Sequence, residues 1–243
     1  MERDAVLGPI LEPWRVLGAD RPEDLLWVAI VVVGALSIVM AGSVMAVGTI
    51  VAGTVDGPIS VENPDHPPEW VCNGDTSTAD EVWDCDAPET IDRDPQVMAN
   101  EAVGGYVPFA LLGPPVLWLL GTVVLFTGGR LANGDPSGGG TAALAGWVAL
   151  GEFPRIGIAL AAIWYVLRGV TVSPDQTEAA LEAFRAALGP IKGPLLIVSL
   201  VVMGWQWAML TRGLARDAGI SRTAAATVVG IPLGLLALFT VVP

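Results

Sequence analysis

The sequence predicts an all-α integral membrane protein: about five transmembrane helices, short amphipathic helices and one long acidic extracellular loop. Three observations carry this. Hydrophobic residues make up 53% of the 243 residues, with a mean hydropathy of +0.60, against about 45–50% apolar residues in soluble domains. They come in long runs rather than in alternating or helical-stripe patterns, which is how bilayer-crossing helices read. Charge is also segregated. Of a net −13, residues 54–104 carry −12, holding thirteen acids from Asp56 to Glu101 with Arg93 as the only Lys or Arg.

Residues 1–24 form a cytoplasmic N-terminal segment broken by Pro9, Pro13 and Pro22. Its arginines are outnumbered by acids, so it does not read as a signal peptide. Asp20-Arg21-Pro22-Glu23 predicts a capping box with Asp20 as N-cap and Glu23 at N3. The first span, 25–53, has no charge from Leu25 to Ala52. At 1.5 Å per residue it exceeds a hydrocarbon core of about 30 Å and spans it with tilt or overhang.

Residues 54–104 are the acidic loop. Rich in Pro, Asp, Asn and Gly, it predicts little regular structure before Asp94-Pro95, an N-cap and N1 pair that opens a short helix through Ala102. Cys72 and Cys85 lie inside it. In an extracellular loop they suit a disulfide, worth about 3 kcal/mol in the chain-entropy model; the alternative is two free thiols. Trp70 and Trp83 flank the pair and would cluster over it. No zinc pattern surrounds the lone His66. Asn73, Asp75, Asp80, Glu81, Asp84 and Asp86 follow no EF-hand spacing and read as a solvated surface rather than a Ca²⁺ site. Many acids and a single lysine, Lys192, are what a surface facing molar salt carries, as in a halophilic archaeon.

The remaining chain, 105–243, predicts four membrane helices. A second span from Tyr106 to Thr127 contains Pro108, Pro114 and Pro115, which should kink it. The stretch through Gly138-Gly139-Gly140 reads as a flexible loop; it lacks the lysine of a phosphate-binding loop. Residues 141–169 admit two readings, one broken span or an interfacial helix (Thr141–Phe153) followed by a span from about Arg155 to Arg168; the second is preferred. An amphipathic surface helix follows, from Ser173 to a stop at Gly189-Pro190. A fourth span runs from about Gly193 to Leu210 with a tail to Ala218. Gly219 is a C′ residue, Ser221 an N-cap, and a fifth span runs from about Thr223 to Val242.

Five spans put the termini on opposite sides. With the N-terminus in the cytoplasm, Arg3, Arg15, Arg21, Arg130, Arg212, Arg216 and Arg222 lie inside against Arg93, Arg168, Arg185 and Lys192 outside. The positive-inside rule favours this orientation, in a cell membrane, with the C-terminus and residues 54–104 outside.

Polar residues stranded in apolar runs are the site candidates. Glu152 and Arg155, three apart around Pro154, could pair within the membrane or sit wet at a helix break. Gln206, between Trp205 and Trp207, could hydrogen-bond a neighbouring helix, worth about 1 kcal/mol. Trp14, Trp27, Trp118 and Trp164 read, with Trp205 and Trp207, as interface or packing aromatics. No catalytic, metal or cofactor motif is present, and the one histidine is in the loop. Nucleic acid is an unsuitable partner for so acidic a chain.

Two stretches carry a resemblance. One is the Gly-rich loop leading into Trp147-Val148-Ala149-Leu150-Gly151-Glu152-Phe153-Pro154. The other is Trp205-Gln206-Trp207-Ala208-Met209-Leu210 followed by Gly213-Leu214-Ala215-Arg216-Asp217-Ala218-Gly219-Ile220-Ser221-Arg222-Thr223-Ala224. Over about residues 105–243 the chain resembles the Yip1 domain family of five-span membrane proteins. The resemblance implies a role in membrane trafficking and organisation, with small GTPases as partners in eukaryotes. The eukaryotic cytoplasmic signature motif is absent, so a GTPase partner is not carried over. The expected function is non-enzymatic: organising or scaffolding membrane components, in the lipid bilayer, through a membrane-protein partner or self-association. The alternative is a small transporter or channel subunit built on Glu152 and Arg155.

Overall fold

The uncharged run after Asp24 folds into a single long helix, α1 (Leu26–Ala52), entered through a 3-10 turn, Pro22–Leu25. The computed structural model describes residues 12, 13, 17, 20–67, 86–173 and 177–241. The N-cap of the entry turn is Arg21, not Asp20: Pro22 occupies N1, and the Arg21 N–H donates to the Asp24 carboxylate at 3.0 Å. Asp24 therefore fills the role expected of Glu23, which is turned elsewhere.

After α1 the acidic loop does contain regular structure. Strands β1 (Ile59–Glu62) and β2 (Thr90–Arg93) pair antiparallel with Ile59 opposite Arg93. Asn63 Nδ2 donates to the Pro88 carbonyl, and a ring nitrogen of His66 lies 2.8 Å from the Ala87 carbonyl, extending the neck past the last strand pair. Asp94 then caps α2 (Pro95–Gly104), accepting from the Gln96 N–H at 2.7 Å. Cys72, Cys85, Trp70 and Trp83 lie outside the described residues.

The second span, α3 (Val107–Leu131), stays continuous through Pro114 and Pro115. The glycines after Ser137 are not a loop but the first turn of a helix. Helix α4 (Gly138–Trp147) leads through a 3-10 turn, Val148–Gly151, into α5 (Glu152–Leu167). The chain thus breaks before Pro154, and α4 is no interfacial helix. Gly140, Thr141, Ala143, Leu144, Gly146 and Trp147 are all buried, and α4 packs against α1, α3 and the later helix α6. Helix α6 (Thr177–Asp217) runs 41 residues without interruption through Gly189-Pro190 and Pro194, so the expected stop is absent. A proline removes one ladder bond; the exposed turn around Pro190 leaves the freed carbonyl open to solvent or headgroups. Gly219, at φ 67°, ends the helical tail, and Ser221 Oγ accepts from the Ala224 N–H to begin α7 (Arg222–Val241).

Contacts at the helix ends give the path of the chain. Glu23, Ser137, Asp135, Ala218 and Asp217 meet at one end of the bundle, the near side. Val55 and Val172 bridge at the other, the far side, where Gln96 of α2 also reaches Thr49. The chain therefore runs near to far in α1, back in α3, out along α4–α5, back in α6, and sets out again in α7. Residues 22–52, 95–131, 138–167 and 181–217 are each long and apolar enough to cross a bilayer, and 222–238 form a shorter apolar helix. This is an all-α membrane protein.

The core gathers around α4: Ala143, Leu144 and Trp147 pack with Ala29, Leu125, Met209, Leu214, Ala225 and Val229. Apolar side chains gain nothing by leaving lipid for protein, so close backbone approach has to hold the helices. A Cβ on Gly146 would sit 2.7 Å from the Ala29 methyl, and one on Gly213 or Gly128 would overlap Leu144 or Val228. The large exposed residues, among them Ile38, Phe109, Leu117 and Ile197, lie on the outside of the same helices. That is the surface lipid requires.

Candidate functional site

The 3-10 turn at Val148–Gly151 creates the first half of the site. In an α-helix the Val148 carbonyl would accept from the Glu152 N–H. Here that N–H bonds the Ala149 carbonyl instead, and Gln206 of α6 supplies the missing donor, its Nε2 lying 3.3 Å from the Val148 oxygen. Gly151 makes this approach possible: a Cβ there would lie 2.9 Å from both Val202 and Trp205.

The same Gln206 Nε2 donates to Glu152 Oε1 at 2.9 Å, and Arg155 Nη1 donates to Glu152 Oε2 at 3.2 Å. The three polar residues singled out by sequence are thereby brought into one network joining α5 to α6. Glu152 stands at the first position of α5, where the helix dipole favours a carboxylate. Gln206 is 6% exposed, whereas the Glu152 and Arg155 side chains are 27% and 40% exposed.

The depth of this network can be measured along α6. Between Lys192 and Arg212 the helix carries no charge, and these residues 193–211 rise about 28 Å, close to the thickness of a hydrocarbon core. Their midpoint is Val202, one of the two residues that face Gly151. Glu152, the next residue, and Arg155 therefore stand level with the middle of this uncharged stretch of α6.

A second cluster, on the near side, was not foreseen. Ser137 Oγ lies 2.9 Å from Glu23 Oε2 and 2.9 Å from Asp217 Oδ1, and it accepts from the Gly140 N–H at 2.8 Å. Asp217 Oδ2 also accepts from the Ser137 N–H at 3.0 Å. One hydroxyl proton can serve only one of the two carboxylates at a time. A Cβ on Gly140 would overlap the Asp217 carboxylate, so the absence of a side chain there lets the end of α6 approach the start of α4. Arg21 holds Glu23 from outside, and Arg216 reaches Glu12 at 3.0 Å. The clasp fastens the starts of α1 and α4 to the end of α6. The one local sign of it was Ser137 standing three residues before a glycine.

On the far side, an open cavity of about 470 Å³ lies under the hairpin, between Gly53, Val55, Gly57, Arg93, Asp94 and Gln96. Arg93 within it is paired with Glu101 at 2.7 Å.

The family model of the Yip1 domain matches residues 10–242 of the chain. That span reaches well beyond 105–243, where the sequence resemblance was legible, and takes in the first helix and the acidic loop. No curated protein and no solved structure matches the chain.

Proposed function

This chain belongs to the Yip1 domain family, and on that premise we propose that it is a non-enzymatic multispanning protein that organises or scaffolds other membrane components. One observation carries this reading. The polar groups at mid-depth are turned on one another, with both Glu152 oxygens occupied by Gln206 and Arg155, so they lock α5 to α6. A locked bundle with a wide apolar exterior suits lateral association in the membrane. The orientation that goes with it puts Arg21, Arg130, Arg212, Arg216 and Arg222 in the cytoplasm and the acidic loop outside the cell membrane. A disulfide between Cys72 and Cys85 belongs to the same picture, as does a halophilic archaeal source. The partners are the lipid bilayer and either a membrane protein or another copy of the chain; nucleic acid and a GTPase are not among them.

A transporter is the second reading, favoured by one feature. The helix tightens into a 3-10 turn beside Glu152, and departures from α-helical geometry inside a span recur at functional sites. Affinity capture from native membranes, solubilised gently at high salt and read for stoichiometry by mass spectrometry, decides between them. A stoichiometric partner supports organisation. Recovery of the chain without any partner, together with solute flux in liposomes that Glu152→Gln abolishes, overturns it in favour of transport.

A further inference from the structure

Arg155 is a charge in the wrong solvent. Its guanidinium stands level with the middle of the uncharged stretch of α6, is 40% exposed, and among the described residues makes one hydrogen bond, to Glu152. A guanidinium has five N–H donors, and a carboxylate can accept about four bonds. Hydrocarbon supplies neither partner. From the middle of the core the headgroups are about 15 Å away, farther than an extended arginine side chain reaches, so snorkelling does not resolve it. The opening is lateral: Pro154 and Ile158, beside Arg155 on α5, are exposed, and Ile158 stands one turn further along the same side.

We propose that a second copy of this chain covers this face of α5, each Arg155 donating to the partner's Glu152 across a twofold axis along the membrane normal. Charge complementarity selects the occupant. The exposed pair carries both signs and no net charge, so the surface that matches it offers one acid and one arginine in the opposite sense. A twofold axis along the membrane normal keeps each residue at its own depth and reverses left and right; because the Arg155 guanidinium reaches back to Glu152 at 3.2 Å, a second copy can set its acid beside this arginine, and twofold dimers are the commonest closed assembly. The contact satisfies groups that one copy leaves half open and keeps water and lipid from the pair. It deepens the organising role proposed above and rests on it, naming the partner as self.

The test uses the full chain with a fluorophore on a C-terminal tag, reconstituted in phosphatidylcholine vesicles. Donor- and acceptor-labelled populations are mixed, and energy transfer is followed as lipid is added. Wild-type copies should transfer energy. Arg155→Glu and Glu152→Arg, each alone, put like charges together and should weaken pairing roughly tenfold or more. Mixing the Arg155→Glu chain with the Glu152→Arg chain should restore transfer, because the two faces are then complementary. Ile158→Trp leaves the polar network intact and should also weaken pairing; it decides the matter if the charge variants fail to insert. Absence of transfer between wild-type copies overturns the proposal, as does transfer that none of these variants changes. Capture of a different stoichiometric protein, with no transfer between copies, overturns the second copy and leaves the organising role standing. Absence of both removes the two together.

Discussion

Replacing Glu152 with Gln leaves the Arg155 guanidinium without its counter-charge, and the proposed mid-depth position of the pair sets the size of the effect. A lone charge at the centre of a membrane helix costs about 2.5–3.5 kcal/mol on insertion scales. Arg155 is 40% exposed, and bilayer distortion around it relieves part of that, so we expect Glu152→Gln to destabilise the fold by about 2 kcal/mol. Arg155→Gln strands the carboxylate instead. It should cost about the same, moderated by the Gln206 hydrogen bond and the α5 dipole, which remain. The double variant removes both charges and leaves three amides able to bond one another; its cost should be below about 1 kcal/mol. The singles would then sum to about 4 kcal/mol against a far smaller double, a strong coupling for two residues in contact. The assay is reversible unfolding in mixed micelles under increasing denaturing detergent, followed by tryptophan fluorescence. Trp147 and Trp205 pack in or against the core beside the pair, so the signal reports on it. Singles that each cost under about 0.5 kcal/mol and simply add to give the double would refute the reasoning, since a pair already wet at a helix break would behave so.

Gly140→Ala drives a methyl into the Asp217 carboxylate and should cost about 1–3 kcal/mol in the same unfolding assay, as overpacking does; with Asp217→Ala added, the loss should be less than additive. Gly213→Ala should behave alike through Leu144, and Leu144→Ala, costly alone, should relieve it in the double variant. Arg216→Ala removes a partner from the Glu12 carboxylate, which is 14% exposed, and should cost about 1–2 kcal/mol, an effect that melting in low and in molar salt should show fading only weakly, since a mostly buried pair is little screened.

Features set by neighbours in sequence were legible; those set across the bundle were not. Asp94-Pro95 and Gly219 with Ser221 bound helices because capping uses groups within a few residues. The hairpin escaped notice because each strand is four residues long and its partner lies across the whole acidic loop, Ile59 against Arg93. Gly189-Pro190 misled because a proline stop is a statement about a helix with nothing to gain by continuing, whereas the span beyond Pro194 packs against α4, α5 and α7. Helix α4 misled for a related reason. Ten small and apolar residues look the same lying on a membrane surface as sheathed by α1, α3 and α6.

The site divides along the same line, with one difference that follows from the solvent. In a run with no other charge, a Glu, an Arg or a Gln is visible at once, and hydrocarbon compels such residues to find partners. Sequence could therefore nominate Glu152, Arg155 and Gln206, though spacing argued only for the i,i+3 pair and left the bond across 54 residues unstated. The near-side clasp had no such contrast. Glu23, Ser137 and Asp217 stand at helix ends where polar residues are ordinary, and a local capping rule had already claimed Glu23 for a role that Asp24 fills. Rarity against the background identifies polar residues inside a membrane; at its edge only the fold does. The residue that stays conspicuous after both are known is Arg155, because the fold that buries Gln206 leaves the guanidinium half open at the same depth.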